Sequence, residues 1–127
     1  MGPAEIVSGF IAAIERRDVA AAVAMVSDDV SYENMPIDPI VGPTAVARTL
    51  EGFLAPASEV EWLVLRQVES GNLVINERLD RFRIGDGWLE LPVAGFFEIN
   101  DGKISRWRDY FDMGTYAEQL RGLTASD

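Results

Sequence analysis

Cysteine and histidine are both absent from this chain of 127 residues. Without cysteine there are no disulfides and no thiolate chemistry. Without either residue, Ser-His-Asp and Cys-His nucleophiles are excluded, and so is an ordinary zinc ligand set. Cationic residues are scarce: 11 Lys plus Arg stand against 21 Asp plus Glu, a net charge of −10. An acidic chain with no Lys/Arg-rich run repels phosphate backbones, so nucleic acid is not an expected partner. No apolar run approaches the ~20 residues needed to span a bilayer, and the opening MGPAEIVSGF lacks the basic start of a signal peptide. The expected location is the cytoplasm, and no metal or other cofactor is expected. Acid–base chemistry is left to carboxylates, Tyr, Lys and bound water.

Apolar residues make up 48 % of the chain, a globular share rather than that of a disordered acidic tail. The length fits one domain over residues 1–127. Ile6, Phe10 and Ile14, with Val7 and Ile11, form a helical stripe. The Arg16-Arg17-Asp18 stretch breaks it, and Asp18 caps a second helix expected to run through Val26. Ser27-Asp28-Asp29 reads as a turn before a short strand from Val30 to Met35. Pro36, Pro39 and Pro43 mark an irregular loop, and Pro43 suits the first position of a helix ending near Leu54.

From residue 59 the period changes to two. Strands are expected from there, from Leu73 to Ile84, from Trp88 to Asn100 and from Lys103 to about Asp112, with Gly-containing turns between them. Thr115 and Glu118 read as a capping box for a C-terminal helix through Leu120. Helices followed by a meander of long strands predict an α+β fold: a curved, mostly antiparallel sheet wrapped around the N-terminal helices to form a cone-shaped pocket.

Strand parity carries the functional signal. Val74, Asn76, Arg78, Asp80, Phe82 and Ile84 share one face; Trp107, Asp109 and Phe111 share another. Arg78 and Asp80 read either as a surface pair or, with Asp109, as a buried acid–Arg–acid triad in which one guanidinium bridges two carboxylates. Tyr32 and Asn34 share a parity and can hold a water, or serve as a core-edge Tyr and a turn-forming Asn. Glu33 takes the opposite parity and is expected to be solvated. Gly42, Gly95 and Gly102 read as turn or bulge positions. Met35, Trp88, Trp107 and Phe111 are candidate pocket walls, although large apolar residues are more often core.

Tyr-Glu-Asn-Met-Pro at 32–36, Asn-Glu-Arg-Leu-Asp at 76–80 and Trp-Arg-Asp-Tyr-Phe-Asp at 107–112 resemble the limonene-1,2-epoxide hydrolase family. The similarity in element order and spacing runs from about Ile6 to Gln119. That family has the cone-shaped fold of nuclear transport factor 2, ketosteroid isomerase and SnoaL-type cyclases. The resemblance implies a homodimer packed through the sheets and a one-step, cofactor-free hydrolysis of a small apolar epoxide. It implies that Asp109 deprotonates water, Tyr32 and Asn34 hold that water, Asp80 protonates the epoxide oxygen, and Arg78 sits between the acids. A cyclase or isomerase on the same fold, an internal hydroxyl in place of water, and a non-catalytic binding module remain rival readings.

Overall fold

In the computed structural model, residues 2–35 and 37–124 are described. Pro36, expected to open the irregular loop, lies outside them, as do residues 1 and 125–127. Helix α1 spans Pro3–Glu15 and buries Ile6, Val7, Phe10, Ile11, Ala13 and Ile14, the stripe set by its apolar spacing. Asp18 caps α2, Val19–Val23, through a hydrogen bond from the Ala21 amide at 3.0 Å. This helix is shorter than expected. Val26 already belongs to strand β1, Val26–Met35, which takes in the Ser27-Asp28-Asp29 stretch read as a turn. A register irregularity between Val26 and Ser31 explains why its alternation was not visible.

The two-residue strand β2, Ile40–Val41, lies in the proline-rich segment and has no periodic signature. Helix α3, Pro43–Leu54, starts and ends where the sequence places it. Strands β3 (Glu59–Ser70), β4 (Leu73–Ile84), β5 (Gly87–Asn100) and β6 (Lys103–Tyr110) follow. The last helix, α4, spans Met113–Thr124. Its start is set by Asp112, not by a Thr115–Glu118 box: Asp112 Oδ1 accepts from the Gly114 amide and Oδ2 from the Thr115 hydroxyl, each at 2.9 Å. A side chain that reaches the first free N–H groups holds the helix start.

The strands form one curved sheet in the order β2-β1-β6-β5-β4-β3. Only the β1–β6 pairing is parallel; the others are antiparallel. Its inner face closes on α1, with Phe10 edge-on to Trp107 at 5.0 Å and to Phe97 at 6.3 Å. Tyr32, Trp107 and Phe97 form a continuous stack on that face, with centroids 3.7 and 6.0 Å apart. Register explains the stack: Tyr32 pairs with Trp107, Trp107 with Phe97, and Phe97 with Val74. Residues directly opposite on one face of a sheet must touch.

Phe10 fills the space between this stack and α1 with no exposed surface. Phe10→Ala should therefore cost about 3–5 kcal/mol. Urea unfolding of the purified variant measures it, and a loss below ~1 kcal/mol would show that α1 repacks freely over the sheet.

Candidate active site

The next row of the same register builds the site. Asn34 pairs with Asp109 across β1 and β6, Asp109 with Gly95, Gly95 with Asn76, and Asn76 with Gln67 on β3. Asp80 lies further along β4, opposite Trp62. Between Asn76 and Asp80 stands Arg78, whose side chain has no exposed surface. Its Nε and Nη2 donate to Asp80 Oδ1 and Oδ2, both at 3.0 Å. Nη2 also donates to Asp109 Oδ2 and Nη1 to Asn76 Oδ1, each again at 3.0 Å. The guanidinium lies 4.6 Å from the Trp62 ring and 5.9 Å from that of Phe97, so aromatic faces receive its remaining charge. Arg78 is thus a bridge within the core and not half of a surface pair.

Two further residues complete the arrangement. Trp107 donates its indole N–H to Asp109 Oδ1 at 2.9 Å. Gln67 Oε1 accepts from the Asn76 amide at 3.1 Å, which turns the Asn76 carbonyl oxygen towards Arg78. Each carboxylate therefore has an identified donor set, as buried charge requires.

Gly95 corrects its expected role. It is no turn or bulge but a buried mid-strand position in continuous pairing with Asn76 and Asp109. A Cβ there would collide with Arg78 Nη1 and stand 2.9 Å from Asp109 Oδ1 and 3.0 Å from Asn76 Oδ1. The glycine leaves the space through which Arg78 reaches Asp109. Gly42 and Gly102 do sit at positive φ, 92° and 75°, where glycine is favoured. Glu33 is likewise not solvated: it is 9 % exposed on the outer sheet face, where it accepts from Arg108 Nη2 at 3.1 Å. Parallel pairing sets Glu33 beside Arg108, a contact that single-strand parity could not reveal.

A cavity opens over this row. Tyr32, Asn34, Asp80 and Asp109 supply its polar wall, and Phe53, Trp62, Phe82, Leu91, Val93, Phe111 and Tyr116 the apolar remainder. Of the four expected wall residues only Phe111 is on the surface of the cavity, and Trp88 instead lies under the Arg81 guanidinium, which is 4.2 Å from its ring centroid. Trp107 lies behind Tyr32, at zero exposure, because the stack places it one layer deeper. Met35, at the end of β1, is half-buried and does not line it. Asn76, Gln67 and Gly95 were missed. Asn76 stood on the correct face in the sequence pattern, but nothing local marked it as a partner of Arg78.

Burial sets the protonation states. It pushes the Asp80 carboxyl up to about 6, with the Asp109 and Glu15 charges acting the same way, against the pull of Arg78. Glu15, at the end of α1, is fixed by accepting from the Trp62 amide at 3.0 Å. Burial, then the Asp109 charge, raises the Tyr32 hydroxyl well above its ordinary value, so it remains a donor. For Arg78 burial pulls downward, but Asp109 and Asp80 outweigh it and hold the guanidinium charged. Among the described residues no group of three or more Asp, Glu, His or Cys side chains is placed to share a metal ion.

An α+β cone with paired buried acids under an aromatic mouth defines a class of small-molecule site rather than a macromolecular surface. The limonene-1,2-epoxide hydrolase catalytic domain family matches residues 1–121. Epoxide hydrolase EphG of Mycobacterium tuberculosis is 34 % identical over 120 residues, covering 94 % of this chain and 80 % of that one. The solved structure of an LEH-like epoxide hydrolase from M. tuberculosis superposes with a TM-score of 0.80 at 34 % identity, over 95 % of this chain and 91 % of that one. A SnoaL-like polyketide cyclase from Shewanella denitrificans OS-217 shares the fold, with a TM-score of 0.84 at 14 % identity over 94 % and 97 % of the two chains. The chain belongs to the limonene-1,2-epoxide hydrolase family, and its class is that of an epoxide hydrolase.

Removing Arg78 strands two buried carboxylates. Arg78→Met should cost about 3–5 kcal/mol near neutral pH. Without the pull of Arg78 the Asp80 carboxyl stands still further above its unfolded value, so its protonated, lower-cost form dominates at low pH and the deficit grows as pH rises. Urea unfolding at pH 5 and pH 8 tests this; a deficit larger at pH 5 would reverse the assignment.

Proposed function

We propose that the protein adds water to an apolar epoxide in one step, giving a vicinal diol without a covalent intermediate or a cofactor. The observation that carries the reading is one buried guanidinium bonded to two carboxylates whose other surroundings differ. Opening an epoxide needs a base at the attacking water and an acid at the leaving oxygen. Asp109, held by Arg78 and Trp107, takes the proton of the water. Tyr32 and Asn34, on the same wall, hold that water by hydrogen bonds.

The new C–O bond forms as the strained one breaks, and the departing oxygen takes the proton of Asp80. The raised Asp80 value supports this role, since an acid near 6 still carries a proton at mildly acidic to neutral pH. Net, one water is added. After the diol leaves, Asp109 releases its proton and Asp80 regains one, which restores the site. An isomerase or cyclase would leave unexplained why two acids share one arginine.

The substrate class follows from the walls. Phe53, Phe82, Leu91, Val93 and Phe111 offer apolar contact and no charge, so the bulk of the substrate is hydrocarbon. Residues 1–127 are read as one catalytic domain acting in the cytoplasm. No helix among the described residues is long and apolar enough to cross a membrane. A homodimer is supported by the apolar strip left open on β3, where Leu65 is 60 % and Val68 62 % exposed. Light scattering of the eluted protein decides that point.

Diol formation from cyclic and terpene epoxides in ¹⁸O-labelled water tests the reaction. One labelled oxygen per diol is expected, and a cyclic ether without label would mean that an internal hydroxyl attacks. Asp80→Asn and Asp109→Asn should each lose about 10²–10⁴-fold in rate with folding intact; near-normal turnover by either would remove its role. On the alkaline side kcat/KM should fall about tenfold per pH unit above Asp80's value of about 6, because only the protonated acid works. A profile flat through pH 8 would overturn the acid assignment.

A further inference from the structure

A second cavity meets the first at its aromatic mouth. It lies between α3, α4 and the turn-end halves of β4 and β5, where Gly52, Leu89 and Leu120 are among its walls. It shares Phe53, Phe82 and Tyr116 with the cavity that holds Asp80 and Asp109. No charged side chain lines it among the described residues.

The partition is made of rings rather than backbone, with Phe82 buried and Phe53 and Tyr116 half-buried. Phe53 meets Tyr116 edge-to-face at 6.0 Å, and Phe111 meets the same Tyr116 at 6.4 Å. Phe53 and Tyr116 can change rotamer, which would open a way between the cavities for a chain. The outer wall is a helix seated on the sheet. Beyond the β5–β6 pairing, which ends at Ala94 with Tyr110, Gln119 of α4 takes up the Glu90 main chain. Its carboxamide accepts from the Glu90 amide at 2.7 Å and donates to the Glu90 carbonyl at 2.8 Å.

We propose that this second chamber is the subsite for the hydrocarbon tail of an elongated epoxide, whose reactive ring lies at Asp80 and Asp109 while its chain passes between Phe53 and Tyr116. The inference rests on the epoxide hydrolase reading and specifies its substrate. Chemistry selects the occupant: walls without charge give nothing to a phosphate or carboxylate group, which would lose its hydration there uncompensated. Each methylene, by contrast, gains by leaving water. The three shared walls make the two spaces one channel, with the reacting atoms at one end and an apolar terminus at the other.

The test is kcat/KM on a homologous series of terminal epoxides, from epoxybutane to epoxydodecane. Once the chain passes the partition, kcat/KM should rise about fourfold per methylene until the chamber is full. Gly52→Phe places a ring at the chamber wall from the last turn of α3, where an added Cβ meets no atom within 4 Å. Leu120→Trp fills the chamber from the facing helix. Each should lower the long-to-short ratio at least about tenfold, the value of two methylenes or fewer at that slope. A profile that is flat with chain length, or one that both variants leave unchanged, overturns the subsite while the hydrolase reading stands. Failure to open any member of the series while a cyclic epoxide is opened also overturns the subsite alone, and failure with both kinds of epoxide removes both readings.

Discussion

An arginine with no exposed surface imposes more on this fold than any other residue. Its charge cannot be left in an apolar interior without partners, and its planar fork dictates where those partners stand. Four of its N–H groups are taken up by Asp80, Asp109 and Asn76. Trp62 and Phe97 cover its faces. These partners come from four strands, so the bridge forms only once the sheet is in register. A one-residue slip of β4 against β5 would turn the whole set to the outer face. Gly95 then follows from geometry: the strand between β4 and β6 must carry no side chain where the guanidinium crosses it.

The same bridge differentiates two chemically identical acids. Asp109 is held from two sides, by Arg78 and by the Trp107 indole, which fixes its orientation beside Tyr32 and Asn34. Asp80 takes both of its hydrogen bonds from Arg78, yet burial outweighs that pull and Glu15 adds to it. Asp80 thus keeps its proton more readily than a free carboxyl while sharing a cation with Asp109. No imidazole is needed for this polarity. In a chain without histidine, placement alone raises one carboxyl of the pair.

Much of this was legible in the sequence, for a physical reason. Period two in β4 puts Asn76, Arg78 and Asp80 on one face whatever the tertiary structure, and Trp107 carries Asp109 inward by the same rule. Pro43 announced α3 because its chemistry suits a first helical turn. What stayed hidden depends on pairing across strands. Gly95 looked like any turn glycine until the residues opposite it were known. Glu33 looked solvated because its partner Arg108 lies 75 residues away. Trp107 passed for a pocket wall, since parity gives the face of a residue and not its depth beneath a stacked neighbour. The irregular register of β1 hid its first half.

The layered construction explains how so small a domain holds a buried polar centre. On one side of the acid–Arg–acid row lies the stack of Tyr32, Trp107 and Phe97, sealed by Phe10 of α1. On the other side is an apolar mouth of side chains only half-buried, including Phe53, Phe111 and Tyr116. Rigidity is therefore concentrated behind the charges, where fixed donors must be aimed before substrate arrives. Adaptability is concentrated in front of them. Helix α4, which has no fully buried residue, forms the outer part of that mouth. A site divided in this way can vary its apolar mouth through residues of α3 and α4 without disturbing the four-strand register that holds Arg78.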